Sequence, residues 1–420
     1  MSGRCAVQPQ VLHATERMKT APCRPAPATR PAAPATRPGR EPASGDRDDP
    51  RGASLPENRR TGPGRLGVLS CSAVVLAATA LVGAGEAQAA VRVPTCFGRP
   101  ATTTGTSGTP GPDVIIGTAG ADVIDGLGGD DLICGLGGDD RLIGGPGADS
   151  LDGGDGDDSL IGDDFGATGA VNAATGRDLL FGRAGNDTLV GDNSAQQGAA
   201  VGASADRLFG GPGDDGMVGD SRGDTASGGA NDHLEGGDGN DSLIGDALGF
   251  FGASGAGDDV LLEGPGELGD ATGDSVAVSG NASGAGGDDV IDLGEDVGTI
   301  AIGDHSASGG TAVGSGNDRI AGGSAGEFLI VGDSSLGDAT GATAGRDVIY
   351  GRGGNDLLFG DNIDQNTRSV PGVGAIDSID GGAGDDILRG GPNADFLNGN
   401  TGRDDCDGEQ GTDVEINCEI

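Results

Sequence analysis

From Gly108 to Ile161 the chain reads GTPGPDVII, GTAGADVID, GLGGDDLIC, GLGGDDRLI, GGPGADSLD and GGDGDDSLI, six consecutive lines of nine residues. In every line the first and fourth residues are Gly, the sixth is Asp and the eighth is Ile or Leu. Gly at the first and fourth positions permits a tight, positive-φ backbone and leaves carbonyl oxygens open to an ion. The Asp column supplies hard, charged oxygens, of which a cation such as calcium accepts about six to eight at once. Soft ligands do not recur in the lines, which argues against zinc and copper. One aliphatic residue flanked by outward-facing neighbours then reads as a short strand. Each line is expected to be a turn followed by a strand.

With three columns in phase, the lines resemble the hemolysin-type calcium-binding (RTX) repeats, whose pattern is G-G-x-G-x-D-x-U-x. The resemblance implies an all-β, right-handed parallel β-roll, or β-solenoid, with two lines per coil. It also implies several calcium ions (Ca2+) between successive turns, held by the sixth-position Asp and by glycine-turn carbonyls. Carried onto this chain, the ligands are Asp113, Asp122, Asp131, Asp140, Asp149 and Asp158, with the backbone of Gly117, Gly126, Gly135, Gly144 and Gly153. In the later repeats they are Asp178, Asp187, Asp206, Asp215, Asp232, Asp241, Asp318, Asp347, Asp356, Asp377, Asp386, Asp395 and Asp404.

Composition agrees with a ligand-dependent fold. The 420 residues include 89 Gly and 20 Pro, only 2% aromatics and no Trp, which without a period would point to disorder. One aliphatic residue in nine buries too little surface to offset the entropy of ordering the chain. The formal net charge of -41 adds self-repulsion that only cations relieve, and it excludes nucleic acid as a partner.

Residues 1–58, rich in Pro, Ala and Arg, read as a disordered leader or a start site assigned too far upstream. Residues 59–89 combine a basic flank, an apolar run and the ending Ala87-Gln88-Ala89, as in a secretory signal peptide. Export and an extracellular location follow as expectations, with no membrane span after cleavage. Four cysteines then remain, Cys96, Cys134, Cys406 and Cys418. An even count outside the cell suggests two disulfides among three pairings. Cys96 with Cys134 and Cys406 with Cys418 are favoured, because each pair brackets one end of the array.

The remaining segments are an N-terminal cap (90–107), the continuous lines (108–162), interrupted repeats (163–371), and terminal repeats with a Cys-bracketed cap (372–420). In the interrupted part, pairs of lines end in a hydrophobic residue and Gly-Asp, as at Val190-Gly191-Asp192 and Phe359-Gly360-Asp361, before Gly-, Ala- and Ser-rich inserts. These inserts are expected to emerge as a row of polar loops, mainly solvated spacers that could also meet a cell-surface or matrix partner. The Asp of each Gly-Asp ending could add an oxygen ligand. From Gly257 to Gly303 the phase fails although Asp259 and Asp289 remain, and Glu327 stands where Asp is expected. A reduced ion complement or a break in the array is expected there.

Catalysis finds little support, and the chain is read as no enzyme. There is no HExxH helix, and no room for a catalytic domain between Ala90 and Gly108. Gly322-Gly323-Ser324-Ala325-Gly326 has the letters of a nucleophile elbow without the strand–turn–helix that the elbow needs. His305, beside Asp304, is expected to be an exposed insert residue. The reading is a calcium-dependent structural or interaction module, with an adhesin or matrix protein as the alternative and a hydrolase-associated repeat protein third.

Overall fold

The computed structural model describes residues 94–419 except 104, 267, 296–298, 327, 328 and 339. The leader, the signal segment, Cys5, Cys23, Cys71 and Glu327 lie outside the described residues. No helix is present among the described residues, and none is long and apolar enough to cross a membrane.

The nine-residue lines alternate between two parallel sheets. Odd lines form a first sheet of 13 strands that begins at Val114–Ile116 and ends at Val414–Ile416. Even lines form a second sheet of 12 strands, from Val123–Asp125 to Asp405–Asp407. Two lines make one coil, and each coil pairs in parallel with the next, as in Val114↔Leu132 and Val123↔Arg141. The fold is the expected β-solenoid. Its core is a double ladder of eighth-position side chains: Ile115, Ile133 and Leu151 from the first sheet meet Ile124, Leu142 and Leu160 from the second, all fully buried.

The inserts differ from the expectation. They form a third parallel sheet of 11 strands, running from Phe165–Gly166 to Ile363–Asp364. Its longer members, Arg222–Ser227 and Leu248–Ser254, pair through Arg222↔Leu248 and, after a bulge that shifts the register between Gly223 and Thr225, through Thr225↔Gly252 and Ala226↔Ala253. Small side chains explain the difference. Ala226, Ala247, Ala253, Ala277, Ala282, Ala307 and Ala312 point inward and fill a narrow second core, so segments that read as polar spacers are half-buried strands.

The stretch around 257–303 does not interrupt the stack. Val260–Leu262 pairs with Val290–Asp292, and Asp270–Thr272 with Ile300–Ile302. What changes is the turn between the first and second sheets: Glu263 and Leu293 replace its first Gly, both buried, and Leu293 joins the main core. Both ends are stapled as expected. Cys96, on the antiparallel pair Thr95–Cys96 and Arg99–Pro100, bonds Cys134, and Cys406 bonds Cys418.

Candidate metal centre

Each glycine column has its own physical reason. First-position glycines such as Gly117 have ordinary φ but no room: a Cβ on Gly117 would lie 2.6 Å from the carbonyl oxygen of Gly135 and 2.9 Å from Asp122 Oδ2. Fourth-position glycines take positive φ from the third line on, at 104° for Gly129 and 96° for Gly138, whereas Gly111 and Gly120 do not. The second position, invisible as a column, is also left-handed. Leu127 (75°), Leu136 (81°) and Arg183 (86°) hold it against the usual preference for Gly.

The turns collect the sixth-position aspartates into two columns, one per corner. Leading into the first sheet are Asp113, Asp131, Asp149, Asp178, Asp206, Asp232, Asp318, Asp347, Asp377 and Asp395, joined by Asp259 and Asp289. Leading into the second are Asp122, Asp140, Asp158, Asp187, Asp215, Asp241, Asp356, Asp386 and Asp404. All are buried except Asp122, which is half-buried. The second column lapses in the middle coils, where Gly269 and Thr299 take its place.

Within a column every carboxylate is used the same way. Oδ1 accepts the backbone N–H of the Asp one coil earlier, at 2.7 Å for Asp113 to Asp131, Asp131 to Asp149 and Asp149 to Asp178, and 2.8 Å for Asp140 to Asp158. Oδ2 is buried and has no partner in Asp131, Asp140, Asp149, Asp158, Asp178, Asp187 and Asp215, and again in Asp347, Asp377, Asp386, Asp395 and Asp404. Asp206 departs, its Oδ2 accepting Ser204 Oγ–H at 3.3 Å. So does the first coil: Asp113 Oδ2 accepts Thr109 N–H (2.6 Å) and Oγ1–H (2.8 Å), and Asp122 Oδ2 accepts Thr118 N–H (2.6 Å) and Oγ1–H (2.9 Å). There threonine takes the oxygen that later coils leave unpaired.

A buried anionic oxygen without a donor is strongly disfavoured. Burial is the main reason that Asp131 and Asp158 are pushed up to about 6, Asp187 to about 7, and Asp149 and Asp215 to about 8. Neighbouring carboxylates add to it. Most of these orphan oxygens converge with a carbonyl on the space left by a first-position Gly. Asp131 Oδ2 and the Gly144 carbonyl meet at Gly126, Asp140 Oδ2 and the Gly153 carbonyl at Gly135, and Asp149 Oδ2 and the Gly162 carbonyl at Gly144. This donor set, all oxygen, one carboxylate with backbone carbonyls, fits a hard divalent cation. Among the described residues no group of three or more His, Cys, Asp or Glu forms a side-chain metal cage.

A family model for the RTX calcium-binding nonapeptide repeat matches residues 107–142, 135–166, 171–195, 200–226, 218–247, 342–362, 372–406 and 380–415. The chain belongs to the RTX calcium-binding repeat family. It is a calcium-binding structural module built as a β-solenoid. No curated protein matches the chain. The gap in the RTX matches between 247 and 342 contains the coils in which Glu263, Gly269, Leu293 and Thr299 have replaced turn residues.

The Gly-Asp endings, singled out in the sequence as a possible source of one more oxygen ligand, form a third acidic column. The Asp of each Gly-Asp ending, at 163, 192, 220, 246, 274, 304, 333 and 361, is at most 2% exposed and stands where the second sheet passes into the third. Backbone bonds link it from coil to coil, as from Asp192 N–H to the Asp220 carbonyl at 3.1 Å. The recurrence of Gly-Asp was the available signal; its burial was not legible. His305 also departs from expectation: it is fully buried, its Nδ1 accepts Ser275 N–H at 3.2 Å, and burial lowers it to about 4. Ser324 sits on an exposed bend with no helix beside it.

Coupling in stacked coils runs mainly between neighbours. Asp131→Ala with Asp140→Ala should therefore loosen the first block and leave the last able to fold. Hydrogen exchange resolved along the chain checks this, with protection lost around 114–161 and retained around 378–398; equal loss at both ends would contradict it.

Proposed function

We propose that this is an exported, non-catalytic protein whose RTX array folds as it meets calcium outside the cell and then serves as a structural or interaction module. The observation that carries this reading is the column of buried, unpartnered Asp Oδ2 atoms, most of them beside a carbonyl in the space of a missing Cβ. The ligands we assign are the sixth-position aspartates, with the carbonyls of Gly126, Gly135, Gly144 and Gly153. Binding free energy would then be folding free energy. The signal-like segment at 59–89 and the paired cysteines support export.

Isothermal titration of the full chain tests it. Calcium should bind with a large heat and a steep rise in β-sheet signal, at about 10⁻⁴ to 10⁻³ M as in extracellular modules. Magnesium should bind far more weakly, because it demands a smaller, near-octahedral shell. Equal responses to both ions would overturn the assignment. A second reading, recognition of a surface partner, is favoured by Phe250 and Phe251, which project from the third sheet as an edge-to-face pair with Phe251 60% exposed.

A further inference from the structure

The third sheet changes the chemistry of one corner in every coil that carries it. In the two-sided coils the turn into the first sheet is short: Gly126 and Asp131, or Gly144 and Asp149, stand five positions apart with glycine-turn backbone between them. In the three-sided coils the same partners still meet, Asp259 Oδ2 at Gly245 and Asp318 Oδ2 at Gly303, each with a carbonyl from the next coil, Gly273 or Gly332. The third-sheet segment has been spliced between them, so the glycine turn that would bring further carbonyls is gone. In its place the residue after the Gly is Asp.

Each of these corners therefore holds two carboxylates. Asp246 faces Asp259 and Asp304 faces Asp318, and all four side chains are at most 1% exposed. Labour is divided within each pair. Asp246 Oδ2 accepts Gly257 N–H at 3.2 Å and Asp304 Oδ1 accepts Gly316 N–H at 2.7 Å, closing the third side of the coil. Asp259 Oδ1 and Asp318 Oδ1 accept the N–H of Asp232 and Asp289. The other oxygens, Asp246 Oδ1, Asp259 Oδ2, Asp304 Oδ2 and Asp318 Oδ2, are buried with no partner. Two dry, unpaired anionic oxygens and a carbonyl at one corner need a positive charge of two, and no Lys or Arg among the described residues is a cause of the pKa shifts at these carboxyls.

We propose that the corners of the three-sided coils are a second class of divalent-cation site, calcium by donor chemistry, in which the Gly-Asp aspartate replaces the glycine-turn carbonyls that the third sheet displaces. The inference rests on the array binding calcium at all. It extends ion binding through the middle coils, whose other corner has lost its Asp, and it gives the Gly-Asp recurrence a chemical reason. The rival state of the same geometry is a pair of carboxyls that share protons and hold no metal.

The test is a count of bound ions. The full chain carrying Asp246→Asn and Asp304→Asn keeps the oxygen that caps each N–H and nearly the same shape, but removes one charge at each of the two corners. Equilibrium dialysis against calcium with elemental analysis should find about two ions fewer than in the unsubstituted chain. An unchanged count would overturn the proposal and leave the proton-sharing pair. An unsubstituted chain that binds no calcium would instead remove the array-wide reading and this one with it. Should the double variant not fold, terbium-soaked crystals of the unsubstituted chain decide: anomalous peaks between Asp246 and Asp259 support the site, and peaks confined to the 108–162 turns overturn it.

Discussion

Stripped of calcium at pH 8, the full chain should lose its β-sheet circular dichroism almost entirely and recover it when calcium is returned. The double ladder of Ile and Leu supplies only two core side chains per coil, while each coil buries two or three carboxylates. At pH 8 these carboxyls are ionised in the unfolded chain, where their value is about 3.9. Burial pushes Asp163 up to about 10 and Asp178 to about 11, so the ion-free fold must either bury anions or take up protons. The same feature fixes the sign of the pH effect. A carboxyl whose folded pKa is raised binds its proton more tightly when folded, so its contribution to stability is fully present below the unfolded value of about 3.9. That contribution is lost as pH climbs through the folded values, about 6 for Asp131 and Asp158 and about 8 for Asp149 and Asp215. Ion-stripped protein should therefore regain sheet near pH 4 and lose it between pH 6 and 8, whereas calcium-loaded protein should follow the opposite trend. A sheet-rich chain at pH 8 with no metal retained would contradict both halves.

Gly135→Ala should be among the most damaging single substitutions, and Gly120→Ala among the mildest, although both remove a consensus glycine fifteen residues apart. The new Cβ at Gly135 would lie 2.6 Å from the Gly153 carbonyl oxygen and closer still to Asp140 Oδ2. Neither can retreat, because the carbonyl belongs to the next coil's backbone and the carboxylate is tied through Oδ1 to Asp122 N–H at 2.7 Å. A loss of about 3 kcal/mol is expected from overpacking, together with loss of the cation at that corner. Gly120 has ordinary φ and nothing within 4 Å of the added atom, so its change should stay within about 0.5 kcal/mol. Calcium-dependent melting of the two variants side by side checks the contrast. Similar losses would mean that crowding is not what excludes a side chain at Gly135.

The fold was legible because the columns at positions one, six and eight each answer to a single constraint that repeats unchanged. Ile133 must face Leu142, Asp131 must reach Asp113, and Gly126 must admit a carbonyl; any slip would break all three. The third sheet was hidden because its inward residues are Ala and Ser, which carry little hydrophobic contrast against the glycines around them. Its pairing is imposed by neighbouring coils already held in register. The left-handed second position was hidden for a different reason: Leu127, Leu136 and Arg183 hold it under tertiary constraint, so no column of Gly marks it. The lost turn sites at Leu293 and Thr299 announced themselves as a broken period, but only packing shows Leu293 filling the vacated interior.

The coil repeat is 18 residues in the two-sided parts and varies from 26 to 30 where the third sheet is present, yet the pairing between successive coils never slips on the first two sheets. In the middle coils, where Val260 and Asp270 take the places of Leu179 and Thr188, the turn from the first sheet to the second lengthens by a single residue. Length variation lies mainly at one corner, between a Gly-Asp and the Asp that opens the next line. Insertions and deletions there leave the ion-bearing frame untouched, which makes that side of the molecule a natural acceptor for grafted peptides and the place where related chains can diverge in length without refolding.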